Sequence, residues 1–157
     1  MYGLQTVAAI VGRLCLSAIF IIAGLNKVLN WTSSEQILTN MLITWSGYSI
    51  APWMTYAINT MMEHIGWFLS AATICELLGG VLVLFGIGAR FGAFLLIIFL
   101  IPTTVLFHAF WMLHPPERDL QTVMFMKNLA ILGGLFVVLA FGSGFGRRRA
   151  SHSQNEP

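Results

Sequence analysis

The stretch Cys75-Glu76-Leu77-Leu78-Gly79-Gly80 lies inside an apolar run, 65 to 85, that is long enough to cross a bilayer. A carboxylate at mid-span costs about 2.5–3.5 kcal/mol on insertion scales, so Glu76 has to face a bundle interior and find a partner there. Gly79 and Gly80, about one turn further on, let another helix approach closely. The rest of the chain must therefore supply a basic partner for Glu76 and a surface that packs on the two glycines.

Composition extends this reading to the whole chain. Of its 157 residues, 57% are hydrophobic and 9% are charged, whereas a soluble domain carries about 25% charged residues. The length suits one membrane domain, expected over 1–146, followed by a basic, polar tail over 147–157 that is expected to be disordered. Cys15 and Cys75 fall within apolar runs, form no secreted disulfide framework, and read as small core residues. The chain has no CxxC, no Walker motif and no basic patch suited to nucleic acid. No basic segment precedes the first apolar run, which reads as a retained span rather than a signal peptide.

The expected fold is all-α: an antiparallel four-helix transmembrane bundle with spans near 6–29, 64–85, 90–113 and 123–141. In the first span Arg13, Ser17, Phe20, Gly24 and Lys27 share one helical face. Lys27 is close enough to the span's end to snorkel, whereas Arg13 sits about two turns inside. In the second, Gly66, Leu69, Thr73, Glu76, Gly80 and Val83 share the inward face. Gly86-Ile87-Gly88 makes a tight turn into the third span, where Pro102 is expected to kink the helix and free the carbonyl of Ile98. Thr103 and Thr104 are placed to satisfy the backbone there. The third span ends on Phe107-His108-Ala109-Phe110-Trp111 before Pro115-Pro116. The fourth carries Lys127 and Asn128 near its start and Gly133-Gly134 at its centre.

Between the first two spans the chain is rich in aromatic residues, with Trp31, Trp45, Tyr48, Trp53 and Tyr56, and holds no Lys or Arg. Thr32-Ser33-Ser34-Glu35 reads as a helix start, capped by Thr32 or Ser33. A short amphipathic helix over 35–44 is expected at the membrane surface, with the aromatic rings at headgroup level.

Basic residues set the expected orientation. The turn at Arg90 and the triplet Arg147-Arg148-Arg149 hold four, while the opposite loops hold only Arg118. The positive-inside rule then places both termini of a multi-pass membrane protein in the cytoplasm. Counted at 1.5 Å per residue, Arg13 and Glu76 lie roughly 12 and 15 Å from the cytoplasmic ends of their spans. That makes Arg13 the expected partner of Glu76. His108 and Lys127 fall roughly 24–27 Å up, and Asn26 and Lys27 roughly 30 Å or more. Two polar layers result: a buried Arg13–Glu76 ion pair, and an outer cluster of Asn26, Lys27, His108, Lys127, Asn128 and Gln121.

The ion pair is open to two readings: a device that fixes helix register, or a place of proton transfer or ligand binding. In the outer cluster, lysine donors and a histidine that changes charge near neutral pH suit the carbonyls and hydroxyls of a quinone. Phe107, Phe110 and Trp111 would offer its ring a stacking surface. Interfacial snorkelling and a capped helix end are the structural alternative. Haem is not expected, since His64, His108 and His114 fall in no HxxxH or CxxCH pattern, and no metal site is expected.

The chain resembles the DoxX family of small bacterial membrane proteins. The matching segments are Gly12-Arg13-Leu14 with Phe20, Gly24 and Lys27; Glu76-Leu77-Leu78-Gly79-Gly80 with Leu84, Gly86 and Arg90; Phe107-His108-Ala109-Phe110-Trp111; and Lys127-Asn128-Leu129-Ala130 with Gly133-Gly134. The insert before the second span is less typical. The resemblance implies a four-helix membrane fold related to small subunits of quinone-linked oxidoreductases, with polar positions at Arg13, Lys27, Glu76, His108, Lys127 and Asn128. The expected ligand-binding residues are thus His108, Lys127, Asn128, Lys27, Asn26 and Trp111. The expected partners are the lipid bilayer and either a redox protein or a second copy, with no nucleic acid. The competing reading is a non-catalytic scaffold that binds a partner through its aromatic loop. A small transporter is disfavoured because no inverted repeat is visible.

Overall fold

The computed structural model of the chain describes residues 2–48 and 51–143. The 147–157 tail and its arginine triplet lie outside the described residues. Six helices follow one another among those described: α1 (Tyr2–Leu29), α2 (Trp31–Gly47), α3 (Pro52–Glu63), α4 (Ile65–Phe85), α5 (Ala89–Phe107) and α6 (Glu117–Phe141). Helices α1, α4 and α6, and α5 together with the short turn that follows it, are long and apolar enough to cross a membrane. The fold is an all-α membrane bundle.

Contacts between α1 and α4, α4 and α5, and α5 and α6 are extensive, whereas α1 touches α6 only thinly. The two glycines of the opening motif explain the first two contacts. A Cβ on Gly79 would lie 2.8 Å from Leu96 and 3.0 Å from the Gly92 carbonyl oxygen on α5. A Cβ on Gly80 would lie 2.8 Å from Ile21 on α1. Adjacent glycines point about 100° apart around a helix, so one residue admits α5 and the next admits α1.

The main apolar core, with Phe20, Val83, Ala93, Leu96 and Leu135 at its centre, fills the space between the four spans. A second cluster of Leu38, Leu42, Ile58 and Leu69 joins α2 and α3 to the start of α4. We call this the cap end of the bundle, and the opposite end, with the α4–α5 connection, the turn end. That connection depends on glycine, because Gly86 and Gly88 have φ of 72° and 64°, in the left-handed region.

Several local expectations change. Helix α2 is longer than 35–44 and starts at Trp31, without a side-chain cap bond. Asn30 N–H bonds Asn26 O and Ser34 N–H bonds Asn30 O, so helical bonding runs through the junction and leaves Thr32 and Ser33 no first turn to cap. Helix α3, with Pro52 in its first turn, forms where only an aromatic loop was expected. The third spanning helix leaves its helical path at His108, and a single 3₁₀ turn follows over Phe110–Met112. Helix α6 starts at Glu117 rather than near 123, with Glu117 and Asp119 where the helix dipole favours acids. Pro102 lies inside α5, and the Thr103 and Thr104 hydroxyls donate to Phe99 O and Leu100 O. Cys15 is exposed rather than in the core, because it lies about 200° around α1 from the fully buried Ser17.

Candidate polar site in the membrane core

Glu76 is paired with Lys27, not with Arg13. Lys27 Nζ donates to Glu76 Oε2 at 2.6 Å, with the Glu76 side chain 3% exposed and that of Lys27 25% exposed. The helix contacts set the register that brings them together: Gly24 packs on Leu77, and Gly80 on Ile21 and the Ser17 carbonyl. Arg13 then lies against Gly86, where its Nη1 occupies the place a Cβ would take. Lys27 is 14 residues beyond Arg13 and Glu76 is 10 before Gly86, or about 21 and 15 Å along the helices. A lysine side chain covers the remaining ~6 Å, because helical side chains lean toward their own N-terminus. That lean carries Lys27 down to Glu76 and Arg13 away from it. Counting rise from the span ends misses both the register and the lean; the direction of the Cα–Cβ bond was the signal that would have favoured Lys27.

Lys27 Nζ also lies 5.6 Å from the centroid of the Phe99 ring, within range for cation–π attraction. Phe99 meets Phe20 edge to face at 6.4 Å. The ammonium is therefore held between a carboxylate and an aromatic face, with two N–H donors in excess of the one Glu76 receives.

The remaining outer residues do not gather at one point. Asn128 is buried and donates from Nδ2 to Thr104 Oγ1 at 3.1 Å. Lys127 is exposed and, among the described residues, reaches only Met124 Sδ, at 3.4 Å. Consecutive helical residues point about 100° apart, so Lys127 and Asn128 could not both face inward. The same argument separates Lys27 from Asn26, which is exposed and accepts a bond from Asn30 Nδ2 at 2.8 Å. His108 Nδ1 is 2.7 Å from Gln121 Oε1. The break in α5 at His108 and the early start of α6 make that contact possible. Trp111 is exposed and packs edge to face with Phe110 and Phe125, at ring-centroid distances of 5.2 and 6.0 Å. The expected convergence of His108 and Lys127 is thus replaced by three separate polar contacts: Lys27–Glu76, Asn128–Thr104 and His108–Gln121.

A residue the sequence reading did not single out ties the cap to the spans. Trp45 Nε1 donates to Leu106 O at 2.9 Å. That carbonyl is one of those the end of α5 leaves without a helical partner.

A DoxX family model matches residues 8–109, from α1 to the His108 break. The chain is 26% identical over 144 residues to inner membrane protein YqjF of Escherichia coli, an alignment that covers 92% of this chain and 91% of that protein. No solved structure matches the chain.

Proposed function

Because the chain belongs to the DoxX family, we propose that it is a membrane subunit associated with redox chemistry, and that it binds a quinone or a similar amphiphile toward the cap end. The relative's description as an inner membrane protein favours the bacterial plasma membrane as its location. The basic bias of the loops favours cytoplasmic termini, which puts the cap end outside.

The observation that carries this reading is the Lys27–Glu76 pair beneath Phe99. A structural pair would need only mutual neutralisation. Here the lysine keeps a quarter of its side chain accessible and two donors free, beside an aromatic face. Those groups suit a ring that carries carbonyl oxygens. His108 would add a second donor or acceptor through the ring nitrogen that does not meet Gln121. Bound quinone would supply two-electron, two-proton chemistry. The chain's own part would be to orient the head through Lys27, to keep a carboxylate within proton reach at Glu76, and to exclude water with Phe20 and Phe99. In this reading a redox protein partner supplies the electrons.

The test is the quinone content of purified protein, measured on a solvent extract. The parent should retain quinone, and His108→Ala and the charge-free double variant Lys27→Met/Glu76→Gln should retain less. A parent without quinone, or variants that hold as much as the parent, would sink the reading.

A further inference from the structure

The thin contact between α1 and α6 leaves a cavity of about 490 Å³ at the turn end. Its walls include Ala8, Gly12 and Leu16 from α1 and Gly134 and Val138 from α6, with Arg13 among them. The volume lies in the range of ligand pockets, roughly 300–1,000 Å³. Leu4, Val7 and Val11 on the same part of α1 are exposed, as on a face turned to lipid.

Arg13 makes this more than an apolar groove. Its Nε is buried and has no hydrogen-bond partner among the described residues. An unsatisfied donor on a charged group is expensive to bury. Among the described residues the only ion pair is Lys27–Glu76, and the other acids, Glu35, Glu63, Glu117 and Asp119, lie on or beside the cap-end elements. The turn end carries a second cation, Arg90, whose Nη2 donates to Ala140 O at 3.0 Å and whose side chain lies against Gly142, another residue of the cavity wall. Among the described residues this end therefore holds two guanidinium groups and no carboxylate.

We propose that the α1–α6 cavity is a phospholipid site, in which one acyl chain enters laterally from the bilayer and an anionic phosphate headgroup is bound by Arg13. Guanidinium matches phosphate through paired N–H donors, which would satisfy the buried Nε. Arg90, which lies against Gly142 of the wall, adds attraction without a fixed geometry. The site stands at the opposite end of the bundle from the Lys27–Glu76 pair and does not depend on what binds there.

The test uses the full-length protein, freed of lipid by detergent exchange and offered equimolar phosphatidylglycerol and phosphatidylcholine, with adducts counted by native mass spectrometry. The parent should carry one lipid with a preference for phosphatidylglycerol of about fivefold, as one surface cation gives. Arg13→Met should abolish the preference. Ala9 also lines the cavity, so Ala9→Phe fills it but leaves Arg13 in place, and should lose the adduct. Equal binding of the two lipids by the parent overturns the proposal, whether the cavity is then empty or holds the chain's own C-terminal segment. So does a preference that survives either variant. If Arg13→Met does not fold, the Ala9→Phe result decides alone.

Discussion

Lys27 Nζ and Glu76 Oε2 meet at 2.6 Å across the α1–α4 interface, at a level that neither residue's distance from its own helix end would suggest. The contact joins the glycine packing to the charge pairing. Gly24 on Leu77 and Ile21 on Gly80 bring α1 to α4 in one register, and only in that register does the lysine reach the carboxylate.

Removing one charge strands the other. Glu76→Gln or Lys27→Met should each destabilise the folded protein, at or somewhat below the ~3 kcal/mol lower end for a broken buried pair, because Lys27 keeps some solvent access. The double variant Lys27→Met/Glu76→Gln should lose less than either single variant. Thermal unfolding in detergent measures all three, and simple addition of the two single effects would refute the coupling.

The two faces of α4 should differ sharply from the centre of α6 in their tolerance of a methyl group. Gly79→Ala puts a Cβ 3.0 Å from a backbone oxygen of α5, so the helices must part, at roughly 1–3 kcal/mol. A Cβ on Gly133 would meet nothing within 4 Å. Gly133→Ala should leave stability unchanged or raise it by up to about 1 kcal/mol through helix propensity. Equal losses in the two variants would contradict this packing.

Trp45→Phe keeps the ring but removes the donor to Leu106 O. The expected loss is about 1 kcal/mol, felt locally. Hydrogen exchange should quicken in α2 and at the end of α5 while the α4–α5 interface keeps its protection. Uniform acceleration throughout the bundle would show that the bond does not act as a local tie.

Orientation is accessible to cysteine labelling. Ile87→Cys stands in the exposed α4–α5 turn, and Glu117→Cys at the exposed start of α6. With the turn end in the cytoplasm, an impermeant maleimide added to intact cells should label the second variant and spare the first. The reverse pattern would invert the topology inferred from the basic residues.

Much of this architecture was legible in the chain itself, because helical periodicity and apolar length are local properties. Four spans follow from four apolar runs, and in α4 Leu69, Thr73, Glu76, Gly80 and Val83 are all buried as their spacing requires. In α1 Ser17, Phe20 and Gly24 likewise face inward. The demand that Glu76 have a basic partner was legible too, since it comes from the cost of a lone carboxylate in a bilayer. Which residue answers it was not. Arg13 and Lys27 lie on the same stripe of α1, and the choice between them depends on how far α1 slides along α4. That offset is decided by Gly24 meeting Leu77 and Gly80 meeting Ile21, contacts between residues more than fifty positions apart. The outer layer is divided for a related reason: depth places Lys127 and Asn128 together, but the rotation of α6 against α5 turns Asn128 in and Lys127 out. Sequence set the period and length of each helix; the offset and rotation between helices, which decide who touches whom, exist only once side chains from distant parts of the chain have packed.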